Sequence, residues 1–201
     1  CEPNSVVVRT QEIEPDKIIT PDLTGQEIKT ETTKEEAANE IEKSQERDIH
    51  KTPHERKAIG RWGEKYVYNA LRTEFQKQGD IVETNLGFKV INADKEELEI
   101  IWLNKSQEMG KGYDFVIKKN GYEEEYIEVK TKTKESEELI EVTGTQWEFA
   151  RKLFEQNEGE KYSFYVVLNA GKENAQIHIL KNPIKLWKEG KLYAHPVNFK
   201  L

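Results

Sequence analysis

The sequence predicts an α/β chain of the α+β kind, a mixed central β-sheet flanked by helices, and three observations carry that reading. First, Ile59, Trp62, Tyr66, Val67, Ala70, Leu71 and Phe75 recur at spacings of three and four, the apolar stripe of an amphipathic helix of about five turns. Second, short β-branched and aromatic runs follow it, two of them joined by Lys119-Asn120-Gly121, a hairpin-turn signal. Third, a second helical pattern interrupts those runs before two more strands. Helices before and between strands must bury their apolar stripes on the sheet they flank.

Each element has its own justification. Gly79 stops the first helix. Residues 81–90 read as one or two strands broken near Asn85 to Gly87, and Leu98 to Leu103 as an apolar strand containing Trp102. Tyr113 to Ile117 and Glu124 to Thr131 form the arms of the Asn-Gly hairpin. A second helix runs from about Thr145 to Gln156, with Thr145 as N-cap, Glu148 as its capping-box partner, and Trp147, Ala150, Leu153 and Phe154 on its apolar face. Tyr162 to Asn169 is a central strand paired with Gln176 to Leu180. Pro183 ends that pair, and Ile184 to Lys188 form a last short helical turn.

The first quarter of the chain is different. All four tryptophans and all eight tyrosines lie after residue 60, so the core lies there too. Residues 1–55 read as a charged extension or linker, with a helical stripe of Ala37, Ala38 and Ile41 but little else to bury, and residues 56–201 as the folded domain. Charged residues make up 34% of the chain, against roughly 25% in a typical domain. The net charge of −7 excludes a generally basic nucleic-acid coat, yet leaves room for an acidic metal site with a local basic rim. A single cysteine, Cys1, fits a reducing compartment, the cytoplasm or, in a eukaryote, the nucleus. No run of 18 apolar residues occurs, so no membrane insertion is expected. The start at Cys1 rather than Met reads as a piece of a longer protein or a processed product.

The chemistry concentrates in the hairpin. On an alternating strand, Glu128 and Lys130 share one face while Ile127 and Val129 share the other. On the preceding arm, the same alternation pairs Asp114 with Val116 and Tyr113 with Phe115. Asp114 and Glu128 are each about seven residues from the turn, which brings them together. Two adjacent carboxylates repel unless a cation neutralises them, and Mg²⁺, with Mn²⁺ able to substitute, suits oxygen ligands. Lys130 would hold the attacking water or stabilise charge developing on a phosphate. Glu64 sits in Gly60-Arg61-Trp62-Gly63-Glu64 on the first helix, where glycine permits close packing on the sheet. Each of these residues alone is ordinarily a solvated surface charge; their combination is what argues for a site. Lys105, Lys111, Lys132 and Lys134 supply a basic rim for a DNA backbone, or are ordinary solvated lysines. His50, His54, His178 and His195 show no zinc-ligand spacing.

Taken in order, Arg61 with Gly63-Glu64, Trp102-Leu103-Asn104, Gly112-Tyr113-Asp114, Tyr126-Ile127-Glu128-Val129-Lys130, and Thr145-Gln146-Trp147 with Ala150 resemble the NO VEIN C-terminal domain family. That family is assigned to the PD-(D/E)XK, or restriction-endonuclease-like, superfamily. The resemblance runs from Lys57 to the C-terminus. It implies a restriction-endonuclease-like fold and a Mg²⁺-dependent DNA endonuclease, attached to an upstream ATPase, helicase or recognition module in a restriction or defence protein. It makes Asp114 and Glu128 metal ligands, Glu64 a further metal contact, Lys130 the catalytic lysine and Gln146 a supporting residue. Tyr113 stands where the superfamily often has proline. A homodimer would supply two active sites for two strands. The alternative is a catalytically silent nuclease-fold module that binds nucleic acid or docks a partner protein.

Overall fold

The computed structural model describes residues 52–106, 109–134 and 140–192. The helical stripe predicted within residues 35–46, and His50 and His195, lie outside the described residues. The first helix, α1 (Pro53–Gln76), starts four residues ahead of Lys57 because Thr52 caps it: the Thr52 hydroxyl accepts from the Glu55 N–H while the Glu55 carboxylate accepts from the Thr52 N–H. This capping box, with Pro53 in the first turn, satisfies donors that the apolar stripe cannot reveal.

Among the described residues seven strands follow: β1 (Ile81–Glu83), β2 (Gly87–Ile91), β3 (Glu97–Trp102), β4 (Phe115–Lys119), β5 (Tyr122–Thr131), β6 (Tyr162–Leu168) and β7 (Gln176–Lys181). They lie in one sheet in chain order, every pair antiparallel except β5 and β6. The parallel pair needs a crossover, and α2 (Gly144–Glu155) provides it. A one-turn 3₁₀ helix, Leu103–Lys105, follows β3, a second, Gly159–Lys161, precedes β6, and α3 (Pro183–Lys188) ends the described fold. The mixed sheet flanked by helices is as predicted.

Two cores, one on each face, explain where strands alternate and where they do not. Tyr66, Val67, Ala70 and Leu71 of α1 pack on Phe88, Ile100, Phe115, Ile127, Val129 and Val167. On the opposite face, Ala150 and Leu153 of α2 and Ile184 of α3 pack on Tyr162, Phe164 and Val166. β6 is therefore covered on both sides and buried along nearly its whole length, whereas β3 alternates strictly. The β4–β5 turn has Asn120 at φ 51° and Gly121 at φ 84°, the paired left-handed conformations that the Asn-Gly signal predicts.

Two expectations are corrected. The cap of α2 is Thr143, not Thr145, and its box partner is Gln146, not Glu148. Both Thr-x-x-acceptor frames fit the sequence; the earlier one is used, and Glu148 pairs instead with Arg151 at 2.7 Å. Tyr113 does not share the face of Phe115. It lies against Tyr126 and Phe149 on the α2 side, while Phe115 is in the α1 core. Gly112, at φ 86°, turns the chain just ahead of β4, so strand alternation does not extend back to residue 113.

Candidate active site

Asp114 and Glu128 meet because the hairpin register aligns Phe115 with Ile127, one residue further along each strand from the turn. Asp114 immediately precedes β4, its backbone N–H donating to the Ile127 carbonyl at 2.8 Å and its carbonyl accepting from Leu103 N–H at 2.8 Å. Its carboxylate accepts from the Val129 N–H (2.8 Å, Oδ2) and from Asn104 Nδ2 (2.5 Å, Oδ1). Both acids are buried, Asp114 at 8% exposure and Glu128 at 5%.

Burial leaves Glu128 with few means of holding a charge. Its pKa is pushed up to about 7, first by loss of hydration, then by the negative charge of Asp114, with Glu64 adding in the same direction and Lys130 pulling it back. Lys130 Nζ lies 3.1 Å from Glu128 Oε1 and donates to Gln146 Oε1 at 2.8 Å. The Gln146 amide in turn donates to Glu128 Oε1. Gln146 Oε1 also accepts from the Thr143 N–H at 2.9 Å, so the capping box of α2 and the Lys130 contact are held by one side chain. The family resemblance implies only a supporting role for Gln146; with the cap at Thr143, its side chain joins the cluster.

Glu64 reaches the same region from α1. Gly63 makes this approach possible: a Cβ there would stand 1.8 Å from Thr131 Oγ1 on β5. The Glu64 carboxylate accepts from Trp102 Nε1 at 2.7 Å and from Arg61 Nη1 at 3.4 Å. Among the described residues no three histidine, cysteine or carboxylate side chains converge on one point as a ready metal cluster. What the fold does present is two buried carboxylates, Asp114 and Glu128, close enough that the charge of Asp114 raises the cost of ionising Glu128, beside Lys130. A divalent cation would fit that pair, because it would offset the mutual repulsion and replace the hydration that burial has removed.

Comparison with known proteins decides the family. A family model described as Protein NO VEIN, C-terminal, matches residues 63–180, more than half of the chain. The chain belongs to that family. Protein NO VEIN of Arabidopsis thaliana is 34% identical over 96 residues, covering 48% of this chain and 3% of its own length. Protein NO VEIN-LIKE of Arabidopsis thaliana is 33% identical over 91 residues, covering 45% of this chain and 13% of its own length. The chain thus spans a small part of each relative. No solved structure matches it.

Within this NO VEIN C-terminal domain, the four lysines expected to form a basic rim are placed on different segments, except that Lys132 and Lys134 share one. Lys105 Nζ lies 5.8 Å from the Tyr68 ring centroid, and Lys111 lines an open groove along α2 with Phe149, Arg151 and Lys152. Lys132 and Lys134 follow Lys130 past the end of β5, half-buried and exposed respectively, with their carbonyls bonded to the Ala170 and Asn169 amides. Trp102 is in the core, Trp62 and Trp147 are packed at its margins, and Trp187 is exposed, set edge-on to Trp147. Sequence reasoning missed Tyr162, whose buried hydroxyl donates to the Gly112 carbonyl at 2.9 Å and pins the turn leading to Asp114. Nothing in its strand pattern distinguished it from core. No helix among the described residues is long and apolar enough to cross a membrane.

Proposed function

We propose that this domain is a metal-dependent DNA endonuclease that hydrolyses phosphodiester bonds. The observation that supports it most is the buried Asp114–Glu128 pair with Lys130 held beside it by Gln146. Asp114 and Glu128 would hold Mg²⁺, with Mn²⁺ able to substitute, and Glu64 would add to the field that draws a cation in. A bound divalent ion would supply Lewis-acid stabilisation of the charge on phosphorus and on the leaving oxygen.

The chain's own residues do the rest. Lys130 presents an ammonium group at the mouth of the carboxylate pair, where it orients water toward phosphorus or meets charge on a non-bridging oxygen. Gln146 fixes the ammonium by accepting a hydrogen bond from one of its three N–H groups. The burial of both carboxylates limits competing water, which strengthens every one of these interactions. Lys105, Lys111, Lys132 and Lys134 are the candidates for contact with the DNA backbone.

The share of the relatives' length that this chain spans supports a role as one module of a larger protein. An ATPase, helicase or recognition module in the same or a partner protein would choose the DNA, in a restriction or defence setting, in the cytoplasm or a nucleus. A homodimer would allow both strands to be cut.

Plasmid cleavage in Mg²⁺ or Mn²⁺ tests this reading, with the native chain compared against Glu128→Ala and Lys130→Ala. The expected result is nicking or linearisation by the native chain that chelation abolishes, and a loss of roughly 10³-fold in each variant. Cleavage that survives both substitutions overturns the site. DNA binding without cleavage at any metal concentration would favour the silent-module alternative.

A further inference from the structure

Asp114 is oriented by residues far from it in sequence. Asn104 Nδ2 donates to Asp114 Oδ1 at 2.5 Å while Asn104 Oδ1 accepts from the Met109 N–H at 2.9 Å. The second bond fixes which way the amide faces, since a flipped amide would set two donors against each other at Met109. With Val129 N–H on Oδ2 and Asn104 on Oδ1, donors on both oxygens fix the plane of the carboxylate.

Asn104 is held in its turn. It lies in the one-turn 3₁₀ helix Leu103–Lys105, whose terminal carbonyls have no partner within so short a helix. Arg61 supplies one: Nη1 donates to the Asn104 carbonyl at 2.6 Å and Nη2 to the Lys105 carbonyl. The guanidinium lies 4.3 Å from the Trp102 ring centroid, so its plane is set by a face-on cation–π contact as well as by the two carbonyls. Its Nη1 is also 3.4 Å from Glu64 Oε2. One half-exposed side chain on α1 therefore ties together the Glu64 arm and the Asp114 arm of the cluster.

We propose that Arg61 and Asn104 are positioning residues for the candidate active site, Asn104 orienting the Asp114 carboxylate and Arg61 holding Asn104 and Glu64 in register with it. The functional consequence rests on the endonuclease reading; the orienting role does not. A planar fork that spans two successive carbonyls cannot be replaced by the single ammonium of lysine. Partners of this kind commonly change metal affinity by about 10- to 100-fold without being ligands.

The test uses the full chain, isotopically labelled and metal-free, with Asn104→Ala, Arg61→Ala and Arg61→Lys, and Arg72→Ala as a control at a surface pair with Glu83. The primary readout is hydrogen exchange and proton chemical shift of the Val129 amide, whose acceptor is the Asp114 carboxylate. Amides of Val90 and Ile177, distant in the α1 core, report general loosening. The expected result is exchange at Val129 faster by about 10-fold in Asn104→Ala, and by less in both Arg61 variants, with Val90 and Ile177 unchanged in all of them. Mn²⁺ titrated by calorimetry should bind about 10-fold more weakly to Asn104→Ala than to the native chain. An unchanged Val129 amide, or acceleration shared by Val90 and Ile177, overturns the positioning role. If Val129 responds as expected while the native chain binds no Mn²⁺, the positioning role stands and the endonuclease reading falls.

Discussion

Two glutamate–lysine pairs on the same sheet behave in opposite ways. Lys89 on β2 lies opposite Glu99 on β3, with its ammonium 2.9 Å from Glu97 and 3.6 Å from Glu99. Lys130 and Glu128, two residues apart on β5, are 3.1 Å apart. Side-chain exposure is 34% for Lys89 and 45% for Glu97, but 15% for Lys130 and 7% for Glu128. In the exposed region, partners win: hydrogen bonding to Glu97 raises the Lys89 pKa, and Lys119 lowers that of Glu96. In the buried region lost hydration and Asp114 outweigh Lys130, and Glu128 rises to about 7. The same residue types therefore form a solvated surface in one place and a buried, poorly hydrated group of charges in another. Helix coverage makes the difference, since α2 closes over β5 and β6 while, among the described residues, no helix packs on the corresponding face of β2 and β3.

The largest expected effects come from removing the charge that the buried region tolerates least. Glu128→Gln keeps the shape and should lower metal-dependent cleavage by roughly 10³-fold. The same substitution should stabilise the metal-free chain at pH 8, as read by thermal melting. The direction follows from linkage. The folded pKa of about 7 lies above the ordinary 4.5, so the folded state keeps a proton that the unfolded state has released between those values. The contribution of Glu128 to stability is full below pH 4.5 and is lost as pH rises through 7, by about 3 kcal/mol. The variant should lose that slope and gain up to about this amount at pH 8, since the pull of Lys130 is already contained in the raised pKa. Mg²⁺ should raise the melting temperature of the native chain at pH 8 and leave Glu128→Gln nearly unmoved. A native chain whose stability does not fall between pH 5 and 8 would show that Glu128 is hydrated, and the contrast between the two regions would fail.

How much of this was legible depended on whether the cause was local. The meeting of Asp114 and Glu128 could be counted from Asn120-Gly121, because a two-residue turn fixes register. The one surprise, a register shift at Ile117/Lys118 that skips Glu124, absorbs the extra residue on the β5 arm. The alternation of Glu128 against Ile127 and Val129 was likewise local. The start of α2 is not decided by its own sequence, since Thr143 and Thr145 each head a capping-box pattern; the frame at Thr143 goes with contacts from Gln146 to Lys130 and Glu128, which are distant in sequence. Arg61 and Asn104 lie within the motifs of the resemblance, but no local pattern gives either a role. Their bond joins residues 43 apart, across a helix and three strands, and no periodicity encodes such a contact.

A smaller and more structural effect is expected at Gly63, where the two regions of charge are set apart by helix position. An added Cβ would stand 2.9 Å from Thr131 Cβ and closer still to its hydroxyl, so α1 must move outward from β5. Gly63→Ala should cost about 1–3 kcal/mol of stability in urea unfolding, as overpacking does. It should also reduce cleavage, because Glu64 and Arg61 ride on the same turn of α1. Gly60→Ala is the matched control, since a Cβ there meets nothing within 4 Å, and it should leave cleavage unchanged.

The smallest effect is expected where the exposed pair is broken. Lys89→Met removes an ammonium engaged by two carboxylates, yet water and salt already screen those charges and the long side chain regains its freedom when released. Its melting temperature should stay within measurement error of the native value, and its Mg²⁺ response should match the native one. The informative comparison is with Lys130→Met, which leaves the buried Glu128 without its cation and still beside Asp114. That variant should shift the pH dependence of stability upward, because Glu128 then loses the interaction that lowers its pKa, while Lys89→Met should leave the profile where it was. Equal pH profiles for the two variants would mean that coverage by α2 does not set the local electrostatics, and that the two pairs differ only in sequence position.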